Sequence, residues 1–193
     1  MDESIGGHVR ADARRNRIAI VTTARAAVEE LGSEVSLEEI AHRAQISART
    51  LYRHFPTRHD LLTAVLEDYF AQRVEPVLRR AAADPDPRHA LETVLSECTA
   101  AFVTHPGVLA LAGGNARTTG ITGRYLRPLH EVLTRAQQAG SVRADLTPED
   151  FPCLVTMLVA SADAAGTGWS RYLALLLDGL SPIAAGAPLP TGK

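Results

Sequence analysis

The sequence predicts an all-α protein, and three observations carry that expectation. Apolar residues recur at three- and four-residue steps along most of the 193-residue chain, which is the spacing of a helix face. No alternating run of β-branched residues marks a strand. Ser36, Ser47 and Thr57 each stand just ahead of an apolar-periodic segment, where a hydroxyl caps the free backbone donors of a helix start. With 46% hydrophobic residues the chain can bury a sizeable core. Aromatics make up only 5%, so aliphatic side chains and alanine must fill it.

The elements follow in order. From Arg14 to Leu31, the residues Ile18, Val21, Ala24, Val28 and Leu31 define one amphipathic helix, closed by Gly32. Ser36 and Glu39 form a capping box that opens a short second helix, with Leu37, Ile40, Ala41 and Ala44 on its buried side. Ser47 caps a third, in which Ala48, Leu51 and Phe55 share a face. Pro56 ends it. Thr57, with Asp60 three residues later, starts a fourth helix carrying Leu61, Leu62, Val65, Leu66, Tyr69 and Phe70. "DPDP" at 84–87 is a break in composition. Further helices are expected at about 88–104, 122–139, 148–165 and 169–180. The glycine-rich stretch at 105–120 gives no clear signal, and the Pro- and Gly-rich tail at 181–193 is expected to be flexible.

Composition excludes several classes. The first thirteen residues are polar rather than those of a signal peptide, and no apolar run reaches the roughly 18 residues that span a bilayer. A cytoplasmic protein without a membrane partner is expected. Cys98 and Cys153 lack metal-site spacing and read as ordinary buried thiols. No cofactor or metal is expected. No P-loop, His-Glu-x-x-His or Gly-x-Ser-x-Gly pattern occurs, so an enzyme is not expected. Net charge is −2, so any binding of nucleic acid must rest on local charge.

Such a local feature lies in "QISARTLYRHFPTRHDLL". Two short helices joined by a brief turn match a helix-turn-helix. Turning the second by 100° per residue puts Arg49 and Arg53 nearly opposite Leu51, flanked by Thr50 and Tyr52. Guanidinium, hydroxyl and phenol groups donate to phosphate oxygens and to base edges in a major groove. Between Gln45 and Arg58 the sequence holds no acid. From residue 14 to 60, eight arginines face six acids, so attraction to any duplex is modest and a few aimed contacts must carry binding.

The stretch "SLEEIAHRAQISARTLYRHFPTRHDLL" resembles the DNA-binding domain of the TetR/AcrR family of bacterial transcriptional regulators. Ser36, Ile40-Ala41, Ser47, Thr50-Leu51-Tyr52, His54-Phe55 and Arg58 carry the resemblance. It is strong over roughly residues 14–70 and architectural beyond. Gln45 departs from the family's usual glycine in the turn, and Arg58 stands where lysine is usual. The resemblance implies a three-helix DNA-binding domain at 1–60, with an arm at 1–13. A helical effector-binding and dimerisation domain follows at 61–180. Tyr52, His54 and Arg58 are implied to reach phosphate, with Ser36, Ser47, Arg49, Thr50 and Arg53 as further DNA contacts; for Arg14, Arg15 and Arg17 the resemblance implies DNA contact, with a solubilising basic start as the equal alternative.

The same resemblance implies a homodimer through the last two long helices, on a double-stranded DNA operator with two-fold character. It also implies a small-molecule effector that shifts the protein away from DNA. Phe102, His105, Tyr125, Met157, Asp163 and Trp169 are pocket candidates by type. Each has a structural alternative: His105 as a helix end, Met157 as core filler, Asp163 as a cap near glycine-rich turns. The expected function is a ligand-responsive repressor. The alternative is an all-helical small-molecule or partner-binding module that does not read DNA.

Overall fold

The computed structural model describes residues 3–115, 121–165, 168–184 and 187–190, with side chains at 14–112, 123–162, 168–183 and 187–190. In chain order it contains α1 (Glu3–Leu31), α2 (Leu37–Arg43), α3 (Ala48–His54), α4 (Arg58–Tyr69) and a π-helical stretch (Phe70–Val74). Then come α5 (Glu75–Ala83), α6 (Pro87–Val103), α7 (Pro106–Asn115), α8 (Ile121–Gln138), α9 (Asp150–Ala165) and α10 (Trp169–Gly179). No strand occurs among the described residues, so the chain is all-α as expected. It divides into two compact units, 1–69 with 106–119 and 70–105 with 120–193.

In the first unit α1 packs against α2, α4 and α7. Its buried stripe is Ile20, Val21, Ala24, Ala27 and Val28. Two residues expected in that stripe lie outside it: Ile18 is 54% exposed and Leu31 49%. Ile18 precedes the first buried position, and Leu31 sits on the last turn, past the packed neighbours. The helix also begins well before Arg14, at Glu3; that part went unannounced because 3–13 carries no sustained apolar stripe. Gly32 takes φ +86° and donates its N–H to the Val28 carbonyl at 2.9 Å, the left-handed close expected of a C-terminal glycine.

The glycine-rich stretch that gave no signal contains α7. Its start is tied down from outside the helix: the Glu29 carboxylate accepts the N–H groups of Gly107 at 3.0 Å and Val108 at 3.1 Å. A negative charge suits that end of a helix. Gly107 allows the close approach, since a Cβ there would stand 2.8 Å from the Val28 carbonyl oxygen. Val108 and Leu111 then bury against α1 and α4.

In the second unit α6 is central, packing against α5, α8, α9 and α10. Asp86 caps it, accepting from Arg88 N at 2.9 Å and His89 N at 3.2 Å, and Pro87 fits the first turn. The "DPDP" break is thus the α5–α6 turn. Ala90, Leu91, Val94, Leu95, Cys98 and Phe102 form the buried face of α6. Burial pushes the Cys98 thiol up to about 12. Cys153 is exposed on α9, contrary to the expected pair of buried thiols. The described part of the tail is bonded to the α8–α9 loop: Leu189 N donates to Asp145 at 2.7 Å, and Arg143 to the Ala187 carbonyl at 2.9 Å. Single bonds of this kind leave no periodic trace in sequence.

Candidate nucleic-acid interface

Local chemistry builds α2 and α3. Ser36 Oγ accepts the Glu39 N–H at 3.1 Å. Ser47 Oγ accepts the Thr50 N–H at 3.1 Å and meets Thr50 Oγ1 at 2.9 Å. Both serines remain exposed. Between the helices Gln45 adopts φ +55°, the one non-glycine with positive φ among the described residues. The turn geometry for which glycine is usual therefore forms with glutamine in place. Ile46 N donates to the Ala41 carbonyl at 3.0 Å, closing the turn.

Leu51 and Phe55 anchor α3 in the core. Ala48, expected on the same face, is exposed: it lies on the first turn, before the helix meets its neighbours. The opposite side carries Arg49 and Arg53, both exposed and without an ion pair or hydrogen bond among the described residues. Tyr52 is 43% exposed beside them. Its hydroxyl donates to Glu38 on α2 at 3.3 Å. The carboxylate raises the phenol's pKa, because ionising the phenol would set two negative charges side by side. Glu38 is a residue that sequence reasoning missed. The acid-free stretch from Gln45 to Arg58 says nothing about acids arriving from the neighbouring helix.

Two expected phosphate contacts point elsewhere in this structure. Arg58 turns back to the α1–α2 loop, donating to the Ser33 carbonyl and lying 3.9 Å from Glu34. His54 Nε2 is shielded from solvent and has no hydrogen-bond partner among the described residues. A phosphate contact through that atom requires the ring to turn. Arg17, a candidate contact by sequence, instead braces the end of α3. Its guanidinium lies 4.4 Å from the Phe55 ring centre and donates to the His54 carbonyl at 3.4 Å, a cation–π contact plus a helix-end bond. Arg14 and Arg15 are exposed.

The pocket candidates separate. Phe102 and Tyr125 converge on Phe70, with ring centres 5.9 Å and 5.0 Å from it. Phe70 is the member sequence reasoning assigned to the fourth helix alone. His105 bonds the Ala101 carbonyl through Nδ1 at 3.2 Å, as a helix-end residue does. Met157 is 63% exposed, not core filler, and Trp169 is half-buried. The Asp163 side chain lies outside the described residues. Among the described residues no three His, Cys, Asp or Glu side chains gather to hold a metal, and no single helix is long and apolar enough to cross a membrane.

A capped helix-turn-helix presenting guanidiniums, in an otherwise helical chain, defines a DNA-binding protein of the helix-turn-helix class. Residues 20–65 match the description "Bacterial regulatory proteins, tetR family". Residues 86–182 match "Transcriptional regulator SbtR-like, C-terminal domain". A TetR transcription regulatory protein from Mycobacterium vanbaalenii is 31% identical, with 90% of this chain and 99% of that one covered at a TM-score of 0.58. The TetR regulator SCO0520 from Streptomyces coelicolor is 25% identical, covering 86% and 98% at 0.59. RolR, solved with the ligand resorcinol, shares the fold at 22% identity, covering 95% and 100% at 0.64. A search of curated protein sequences returns no match. The chain belongs to the TetR family of bacterial transcriptional regulators and is a DNA-binding regulator.

Proposed function

We propose that this regulator is a homodimeric repressor that leaves a palindromic operator when a small molecule binds. One observation carries the DNA side: Arg49 and Arg53 stand on the outer face of α3 without an ion pair among the described residues, beside Tyr52. In the proposal Arg49, Arg53 and Thr50 meet base edges, while Ser36, Ser47 and Tyr52 meet phosphates. His54 joins only after its ring turns out toward solvent, and Arg58 only after leaving Ser33 and Glu34.

The dimer is supported by the apolar residues left in solvent on α9 and α10. Met157 is 63% exposed, Leu175 57%, and Tyr172 also faces outward. No residue from Trp169 to Gly179 is fully buried. An exposed apolar surface of this kind marks an interface. The effector side is supported by the Phe70, Phe102 and Tyr125 rings and by resorcinol in RolR. Aromatic rings pair favourably with an aromatic ligand.

Selection of bound fragments from the source genome tests the DNA reading. A two-fold symmetric site is the expected result. Recovery of fragments without shared sequence would remove the operator. Release of the selected fragment by a phenolic compound, read by gel shift, tests the effector.

A further inference from the structure

Six acids lie between residues 29 and 60, and five of them are held by a cation or a backbone N–H. Glu29 takes the Gly107 and Val108 N–H groups. Glu30 and Glu39 both pair with Arg43. Glu34 faces Arg58, and Asp60 accepts from Thr57 N and Oγ1. Glu38 differs: among the described residues its partner is the Tyr52 hydroxyl, at 3.3 Å. A full negative charge therefore stands, without a cation, at the edge of the face that carries Arg49 and Arg53.

Two consequences follow from its position. The phenol proton that a phosphate oxygen would accept is already engaged. And a duplex approaching this face brings its phosphates toward an anion, a repulsion that acts on every sequence alike because the backbone is the same.

We propose that Glu38 restrains non-specific DNA binding: it keeps the Tyr52 hydroxyl from phosphate and sets an electrostatic cost that base contacts by Arg49 and Arg53 must offset. The inference rests on the α3 face being the one that meets DNA.

Binding of the full chain to a mixed-sequence duplex, followed by fluorescence anisotropy over a salt series, tests it. Glu38→Gln keeps an oxygen acceptor for the phenol and removes the charge. It is expected to tighten mixed-sequence binding by about threefold to tenfold at low salt, with the gain shrinking as salt rises. A residue that only supports the first turn of α2 gives no salt-dependent gain. In a second measurement, Tyr52→Phe is made in the native chain and in Glu38→Ala. The hydroxyl's loss should weaken binding more in Glu38→Ala, where no carboxylate competes for it. Equal losses would overturn the hold on Tyr52. If Glu38→Gln tightens nothing at any salt while Arg49→Ala still weakens the complex, the restraint is refuted and the α3 face stands. If Arg49→Ala is silent as well, both fail.

Discussion

Two helices in this chain bury very little of themselves, and they do so with opposite chemistry. On α3 the core takes Leu51 within the helix and Phe55 at its close, and the outer side is arginine, threonine and tyrosine. On α10 no residue is fully buried, and the outer side includes Tyr172 and Leu175. An exposed charged face is stable in water and waits for an anion. An exposed apolar face is costly in water and waits for another apolar surface. The same lack of burial thus points to DNA in one unit and to protein in the other.

The largest effect should come from setting charge on the apolar face. Met157→Glu with Leu175→Glu places two carboxylates where a partner subunit would exclude water. Unpaired buried charges cost about 3–5 kcal/mol, so the proposed dimer should dissociate by sedimentation velocity, with helix content by circular dichroism unchanged. A dimer that survives this pair would mean the face is not the subunit interface, and the contrast with α3 would lose one side. Next comes the anchor of α3. Leu51→Ala should lower the unfolding free energy by about 2–5 kcal/mol, read by urea denaturation. Leu175→Ala should cost the isolated chain far less, since its side chain is already wet. Similar losses at both sites would break the comparison.

Arg49→Ala and Arg53→Ala act on binding instead of folding. Each should weaken the operator complex by about 1–3 kcal/mol while leaving the melting temperature in place, because neither side chain has a partner to lose among the described residues. Arg49→Ala should also change which bases are preferred, read by binding to operator variants. Tyr52→Ala should weaken operator and scrambled duplexes alike. Unchanged operator affinity in all three variants would remove the DNA role of this face.

What was legible in the sequence was local. Ser36, Ser47 and Thr57 announced helix starts because a capping oxygen and the backbone N–H it accepts lie within one turn. Leu51 and Phe55 were legible as an anchor because they lie four residues apart, within the helix and at its close. What was not legible depends on a second element. Glu38 reaches Tyr52 across fourteen positions, Arg58 turns to the Ser33 carbonyl, and Glu29 caps α7 from α1. Periodicity within a helix cannot report such meetings. It also cannot say where a helix runs past its neighbours, which is why Ile18, Leu31 and Ala48 read as core and stand in water. The aromatic group of Phe70, Phe102 and Tyr125 assembles from three separate segments, so composition could name two members and not the third.

Gln45 offers the smallest and most diagnostic change. Its φ of +55° costs a residue with a Cβ about 1–2 kcal/mol, while glycine adopts it freely but loses more entropy on folding. Those two terms oppose each other, so Gln45→Gly should stabilise the fold by no more than about 1 kcal/mol, read as a small rise in melting temperature. DNA affinity should stay the same, because the Ile46 to Ala41 bond already closes the turn with glutamine present. A large gain in affinity on this substitution would mean that the strained turn holds α3 back from its binding pose. The contrast between the two helices would then involve conformation as well as surface chemistry.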